Sequence, residues 1–167
     1  TLNSALGLTT EFAFNPFYEK ETTFTDIDRF LRPLGFSLFN LPTFRYARNE
    51  LSPYQGEKLP HHTETGQICW GEALYLRDAV DDIRKGKGKL WNYLRILKLA
   101  SVMEIFSLED CAMELISVAA KKGYFKNSDK LKMIRLLVPK INGKEYTYKN
   151  YIKRIKKEQK AKLKAKK

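Results

Sequence analysis

Residues 66–78 read Gly66-Gln67-Ile68-Cys69-Trp70-Gly71-Glu72-Ala73-Leu74-Tyr75-Leu76-Arg77-Asp78, "GQICWGEALYLRD". Gln67 to Arg77 runs apolar, as a buried strand does, and is long for a strand. Three features interrupt it: a Gln at its start, a Trp-Gly pair, and a Glu in mid-run. Such features mark either a site or a fold signature whose site lies elsewhere. The surrounding sequence favours the second.

Working back from this strand, a polar stretch of roughly 25 residues precedes Gly66. It carries Pro42, Asn49, Pro53, Gly56, Pro60, His61 and His62. A loop of that length in a compact domain is functional or partly disordered. Before it, Phe36 to Leu41, "FSLFNL", reads as a strand. Before that, Phe24 to Gly35 reads as a helix: Ile27, Phe30, Leu31 and Leu34 fall at i, i+3, i+4 and i+7 and give one apolar face. Thr25 is placed to cap its start, with Asp28 in the capping-box position. Pro33 frays its last turn, and Gly35 can take the left-handed conformation that ends it. Glu11 to Asn15 alternates as a strand should. Strand, helix and strand make a βαβ unit, with the two strands expected parallel and the crossover right-handed. The Gln67–Arg77 strand then closes the sheet, antiparallel to the second strand.

Beyond Asp78 the pattern turns helical after a basic linker at 83–89. Leu90, Tyr93, Leu94, Leu97 and Ala100 share one face, opposite Arg95 and Lys98. Ser107-Leu108-Glu109-Asp110 is a capping signal, and Ala112, Leu115, Ile116 and Ala119 repeat the helical spacing up to Gly123. These two helices are expected antiparallel. A weaker helix covers Lys130 to Val138 and stops at Pro139. From Tyr146 the chain reads as basic and helical, with Tyr148, Tyr151, Ile152 and Ile155 on one side; beyond Lys156 it is Lys/Ala repetition, expected frayed or disordered. The organisation read from these shifts is 1–82, a linker at 83–89, a helical extension at 90–145 and a tail at 146–167.

Charge follows the same division. Residues 1–82 hold 7 Lys+Arg against 12 Asp+Glu, a balance of −5; residues 83–167 hold 24 against 7, a balance of +17. The net +12 therefore hides two regions of different character. Any anionic partner belongs to the second half. Cys69 and Cys111 form neither a disulfide framework nor a zinc spacing, and read as reduced, buried, structural thiols suited to the cytoplasm. No run approaches a membrane span. No charged leader and apolar run opens the chain, so no signal peptide is expected. Thr1 in place of Met marks a processed protein or a segment of a longer one.

Among the nine glycines none forms G-x-G-x-x-G or G-x-x-x-x-G-K-[ST]; Gly86-Lys87-Gly88 comes nearest, but follows charged residues instead of a strand. His61-His62 with Glu64 lacks a third ligand at metal spacing, so no metal is expected. In open α/β sheets ligands sit beyond the carboxyl ends of the parallel strands. That rule gathers Asn15, Tyr18, the His61-His62 loop and Gln67 on one rim, as substrate-side candidates. Trp70 is expected in packing and Glu72 on an exposed sheet face. No catalytic base is assigned by spacing.

Glu11 to Leu41, "EFAFNPFYEKETTFTDIDRFLRPLGFSLFNL", resembles the late segment of FkbM-type methyltransferases, with its E-x-x-F-x-P-x-Y, F-x-D-x-x-x-F-L and G-F-x-L-x-x-L pattern. "GQICWGEALYLRD" resembles their closing strand, with Glu72 where the pattern usually has Asp. "LRILKLASVMEIFSLEDCAMEL" resembles a helical extension of some members. Three blocks in order, across about residues 5–120, carry the likeness; the basic tail has no counterpart. The resemblance implies S-adenosylmethionine-dependent O-methylation of a hydroxyl on a sugar, glycan or natural product, on a Rossmann-like, doubly wound sheet. It also implies that this chain is the carboxyl-terminal part of such a sheet with a helical extension, the cofactor-binding strands lying upstream and the fragment alone inactive. The alternative is a non-enzymatic binding module that uses the basic half for nucleic acid or an anionic membrane surface.

Overall fold

The computed structural model describes residues 2, 4–16, 19–46 and 66–165. It divides into two compact units, Thr1–Asp78 and Ala79–Lys167. The first is α/β with an open antiparallel sheet; the second is helical.

In the first unit the elements are β1 (Gly7–Ala13), α1 (Phe24–Leu31), β2 (Phe36–Asn40), β3 (Thr43–Tyr46) and β4 (Gln67–Arg77). The long apolar run is the central strand. β1 pairs along one edge of β4, from Gly7 opposite Leu76 to Ala13 opposite Trp70. The other edge of β4 is shared end to end, with β2 opposite Leu74–Arg77 and β3 opposite Gln67–Gly71. An eleven-residue strand thus finds backbone partners on both sides without a long neighbour. β1 and β2 run parallel to each other, as the βαβ pattern implies, but they do not pair, because β4 lies between them, antiparallel to both. β3 was hidden inside the expected loop; the rest of that loop, 47–65, lies outside the described residues.

Leu74 and Leu76 of β4 are buried on one face of the sheet, and the other face holds a core cluster. Phe12, Phe36, Ala73 and Tyr75 are buried there with Leu31 of α1. Phe24 closes on Phe12 and Phe14, with ring centroids at 5.0 and 5.6 Å. The Trp-Gly pair has a packing explanation: a Cβ on Gly71 would stand 2.5 Å from the Pro42 carbonyl oxygen and 2.9 Å from the Phe12 ring. That same carbonyl accepts from the Glu72 N–H at 3.0 Å.

α1 corrects two expectations. Its N-cap is Thr23, and the reciprocal partner is Asp26, whose carboxylate accepts from the Thr23 N–H at 3.0 Å. T-x-x-D occurs twice in "TTFTDID", and the second copy's Asp28 is occupied elsewhere, bonded to Tyr75 and Arg32. Phe30, expected on the buried face, is 62% exposed; it lies roughly 100° around the helix from buried Leu31. Phe24 fills the apolar line instead. Gly35 ends the segment at φ 84° as expected.

Arg77, at the end of β4, clasps this unit. Its guanidinium donates to the carbonyls of Leu34 (2.6 Å), Leu2 (3.0 Å) and Ala5 (3.2 Å) and lies over the Phe36 ring at 4.4 Å. A forked, always-charged donor can serve three carbonyls at once.

The second unit contains α2 (Ala79–Arg84), a 3-10 turn at Gly88–Leu90, α3 (Tyr93–Ile105), α4 (Glu109–Lys121), α5 (Asn127–Leu137) and α6 (Tyr148–Ala165). The region expected as a linker at 83–89 holds the end of α2 and the start of that turn. Asn92 caps α3, accepting from the Arg95 N–H at 2.9 Å. The buried residues of α4 are Ala112, Leu115, Ile116 and Ala119, as the spacing predicts. On α3 they are Ile96, Leu99, Ala100 and Met103, whereas Leu90, Tyr93 and Leu94 are exposed. α3 is apolar nearly all round, so periodicity could not choose its face. Ser107 does not cap α4: it sits at φ 57° in the connection, and Leu108 takes the cap position without a side-chain bond. α6 extends past Lys156 to Ala165, where fraying was expected; Lys and Ala both favour helix, and Arg154 pairs with Glu158 one turn on at 2.9 Å.

Candidate functional site

The antiparallel pairing of β1 and β4 sets the end of one beside the start of the other. Asn15 and Gln67 therefore come to the same end of the sheet. The Asn15 side-chain amide donates to the Ile68 carbonyl at 2.8 Å, and the Phe14 N–H donates to the Cys69 carbonyl at 2.8 Å. Asn15 thus braces the first residues of β4. Gln67 is exposed and stands opposite Tyr46. Tyr18, His61 and His62 lie outside the described residues.

Two further groups join this end of the sheet, Arg45 and the Phe44–Trp70 stack. Arg45 of β3 donates to the Gly66 carbonyl at 3.1 Å. Phe44 stacks on Trp70, with centroids 4.1 Å apart and planes 15° from parallel. Trp70 is half-buried by that stack, so its expected packing role comes with a specific partner. Glu72 is exposed, as expected, and stands directly opposite exposed Glu11. Like charges at opposed positions disfavour pairing. Arg45 and Phe44 escaped the sequence reading because their strand was taken for loop; alternation over "TFRY" was the available signal, and it spans only four residues.

Chemically, this end of the sheet offers two amides, a guanidinium and an aromatic stack, while the Glu11–Glu72 pair lies farther along, at the middle of β4. Such groups suit hydrogen bonding to a polar, hydroxyl-bearing molecule. Among the described residues no group of three or more His, Cys, Asp or Glu could hold a metal. Among the described residues, the turn from β1 to α1 does not fit S-adenosylmethionine. No glycine lies between Gly7 and Gly35, so the turn from β1 to α1 has no glycine-rich approach, and the N-terminus of α1 is closed by its own Thr23–Asp26 box.

The helical unit contains a separate cleft of about 610 Å³, lined by α4, the end of α5 and α6. Ser107, Asp110 and Glu114 line it, with Tyr148 and Tyr151 of α6. Glu114 also forms an ion pair with Arg84 at 2.6 Å. The start of α6 is held by Arg154, which donates to the Tyr146 hydroxyl at 2.6 Å. Among the described residues no Lys or Arg lines this cleft, a composition that suits neutral or cationic groups over phosphates.

No helix among the described residues is long and apolar enough to cross a membrane. No protein-family model, curated protein or solved structure matches this chain.

Proposed function

We propose that this chain is the carboxyl-terminal part of an S-adenosylmethionine-dependent O-methyltransferase of the FkbM type, acting in the cytoplasm on a hydroxyl of a sugar, glycan or natural product. The support is the sequence likeness in three ordered blocks. Two of those blocks fall on β1–α1–β2 and on β4, which are contiguous in one sheet, and the reversed last strand is the arrangement the likeness calls for. The sheet is then the closing portion of a Rossmann-like fold.

In this reading the chain's own residues serve the acceptor. Asn15 and Gln67 stand at the end of the sheet, with Tyr18, His61 and His62 as further candidates from the sequence. They would orient a hydroxyl-bearing molecule, and transfer to a hydroxyl depends largely on such positioning. The cofactor is assigned to strands upstream of this chain, as the likeness implies.

The test is transfer of a labelled methyl group to a panel of polyhydroxylated acceptors by the product of the whole reading frame. The expected result is label on an acceptor oxygen, with Gln67→Ala raising KM for the acceptor. Transfer to protein nitrogen or to nucleic acid, with none to hydroxyl acceptors, would contradict the proposal.

A further inference from the structure

We propose that the cleft of the helical unit binds a linear oligoamine, a small molecule with two or more ammonium groups on a methylene chain. Of the 7 Asp+Glu in residues 83–167, Glu109, Asp110 and Glu114 line it. Among the described residues, none of the Lys or Arg of the same region does. The cleft therefore reverses the charge of the chain around it, and the ligand it selects is a cation.

Geometry narrows the kind of cation. Asp110, Glu114 and Ser117 stand at i, i+4 and i+7 of α4 and share one side. Residues one turn apart on a helix are about 5–6 Å from each other at Cβ. Among the described residues no three His, Cys, Asp or Glu are grouped to hold one metal ion. The negative charge is thus drawn out along α4 instead of focused on a point. Ammonium groups three or four methylenes apart match that spacing and can meet one carboxylate each. From α6 come Tyr148 and Tyr151, at i and i+3 on one side of that helix. Aromatic faces attract ammonium groups, and Met113 and Ile134 offer apolar contact to the methylenes between. At about 610 Å³ the cleft has the size of a small-molecule site.

The carboxylates keep acceptor capacity for such a ligand. Oδ1 of Asp110 accepts from the Cys111 N–H at 2.8 Å, and Oε1 of Glu114 accepts from Arg84 at 2.6 Å. Each carboxylate has a second oxygen to offer an ammonium. The Arg84–Glu114 pair is more than half exposed on both sides, so it holds Glu114 only weakly. This inference is independent of methyl transfer.

The test is calorimetric titration of the full chain with spermidine, 1,4-diaminobutane and n-butylamine. One spermidine or diamine per chain is expected to bind, with the monoamine at least about tenfold weaker because it meets one carboxylate. Asp110→Asn should weaken spermidine binding about tenfold, and Tyr148→Ala about two- to fivefold. Tyr148 is 49% exposed, so its replacement should leave the helical circular dichroism unchanged. Glu104→Gln removes the same charge from an exposed position outside the cleft and should leave binding as it is. Absence of spermidine binding would overturn the proposal. So would equal weakening by Glu104→Gln and Asp110→Asn, a monoamine bound as tightly as the diamine, or displacement of spermidine by equimolar Mg²⁺.

Discussion

The Tyr75 hydroxyl donates to Oδ1 of Asp28 at 2.9 Å, while Oδ2 of the same carboxylate accepts from Arg32 Nε at 2.6 Å. One carboxylate thereby ties the central strand to the helix that covers it. Burial, and then the bond to Asp28, push the Tyr75 phenol up to about 12. The hydrogen bond from Arg32 holds the Asp28 carboxyl below its ordinary range, against a smaller opposing effect of burial.

Both shifts act on stability with a definite sign. Asp28 is depressed when folded, so its contribution is present above the unfolded value of 3.8 and is lost as pH falls through the folded value. Tyr75 is raised, so its contribution is intact below 10.0 and is lost as pH climbs from there toward about 12. Urea melts across pH should show both losses. Tyr75→Phe should remove the alkaline component and cost about 1 kcal/mol near neutrality; an unchanged alkaline limb in that variant would mean that another group is responsible.

Gly71→Ala tests the close approach at the centre of the sheet. The added methyl meets a backbone carbonyl, which cannot swing aside as a side chain can. A loss of about 1–3 kcal/mol is expected. Gly86→Ala should cost less: nothing lies within 4 Å of where its Cβ would stand, and only the backbone at φ 79° resists the change. Thermal unfolding of the two variants compares crowding with backbone strain, and a smaller loss at Gly71 than at Gly86 would remove the crowding explanation.

Arg77→Lys keeps the charge and removes the fork. Three carbonyls share the guanidinium, and a lysine cannot reproduce its planar geometry. We expect about 1–3 kcal/mol of destabilisation from carbonyls left without this donor. Hydrogen exchange should show faster opening near Leu2–Ala5 and Leu34 than in the helical unit; uniform acceleration across both units would contradict a local clasp.

Glu72→Thr should stabilise the first unit by roughly 0.2–1 kcal/mol, since it relieves the opposition to Glu11 and places a good strand former on the exposed face. The gain should shrink at high salt. Destabilisation would show that Glu72 is engaged favourably in the sheet.

How much of this was legible varies with the strength of the local signal. The central strand announced itself because Gln67–Arg77 is long and apolar, and Gly35 and Gly123 marked turns that do take positive φ. The cap of α1 was misplaced by two residues because two T-x-x-D copies overlap, and only the contact to Tyr75 decides between them. β3 was missed because four residues beside a proline carry little pattern, and a strand so short exists only because β4 offers it an edge. The face of α3 was misassigned because apolar residues surround that helix. At the candidate site, Asn15 and Gln67 were brought together by strand direction alone, while Arg45 and Phe44 depended on the missed strand.

The most direct measurement is calorimetric titration of S-adenosylmethionine into this 167-residue chain and into the product of the same reading frame extended upstream. The proposal predicts no binding by the chain alone and binding by the extended product. Binding by the chain alone, or none by the extended product, would contradict it.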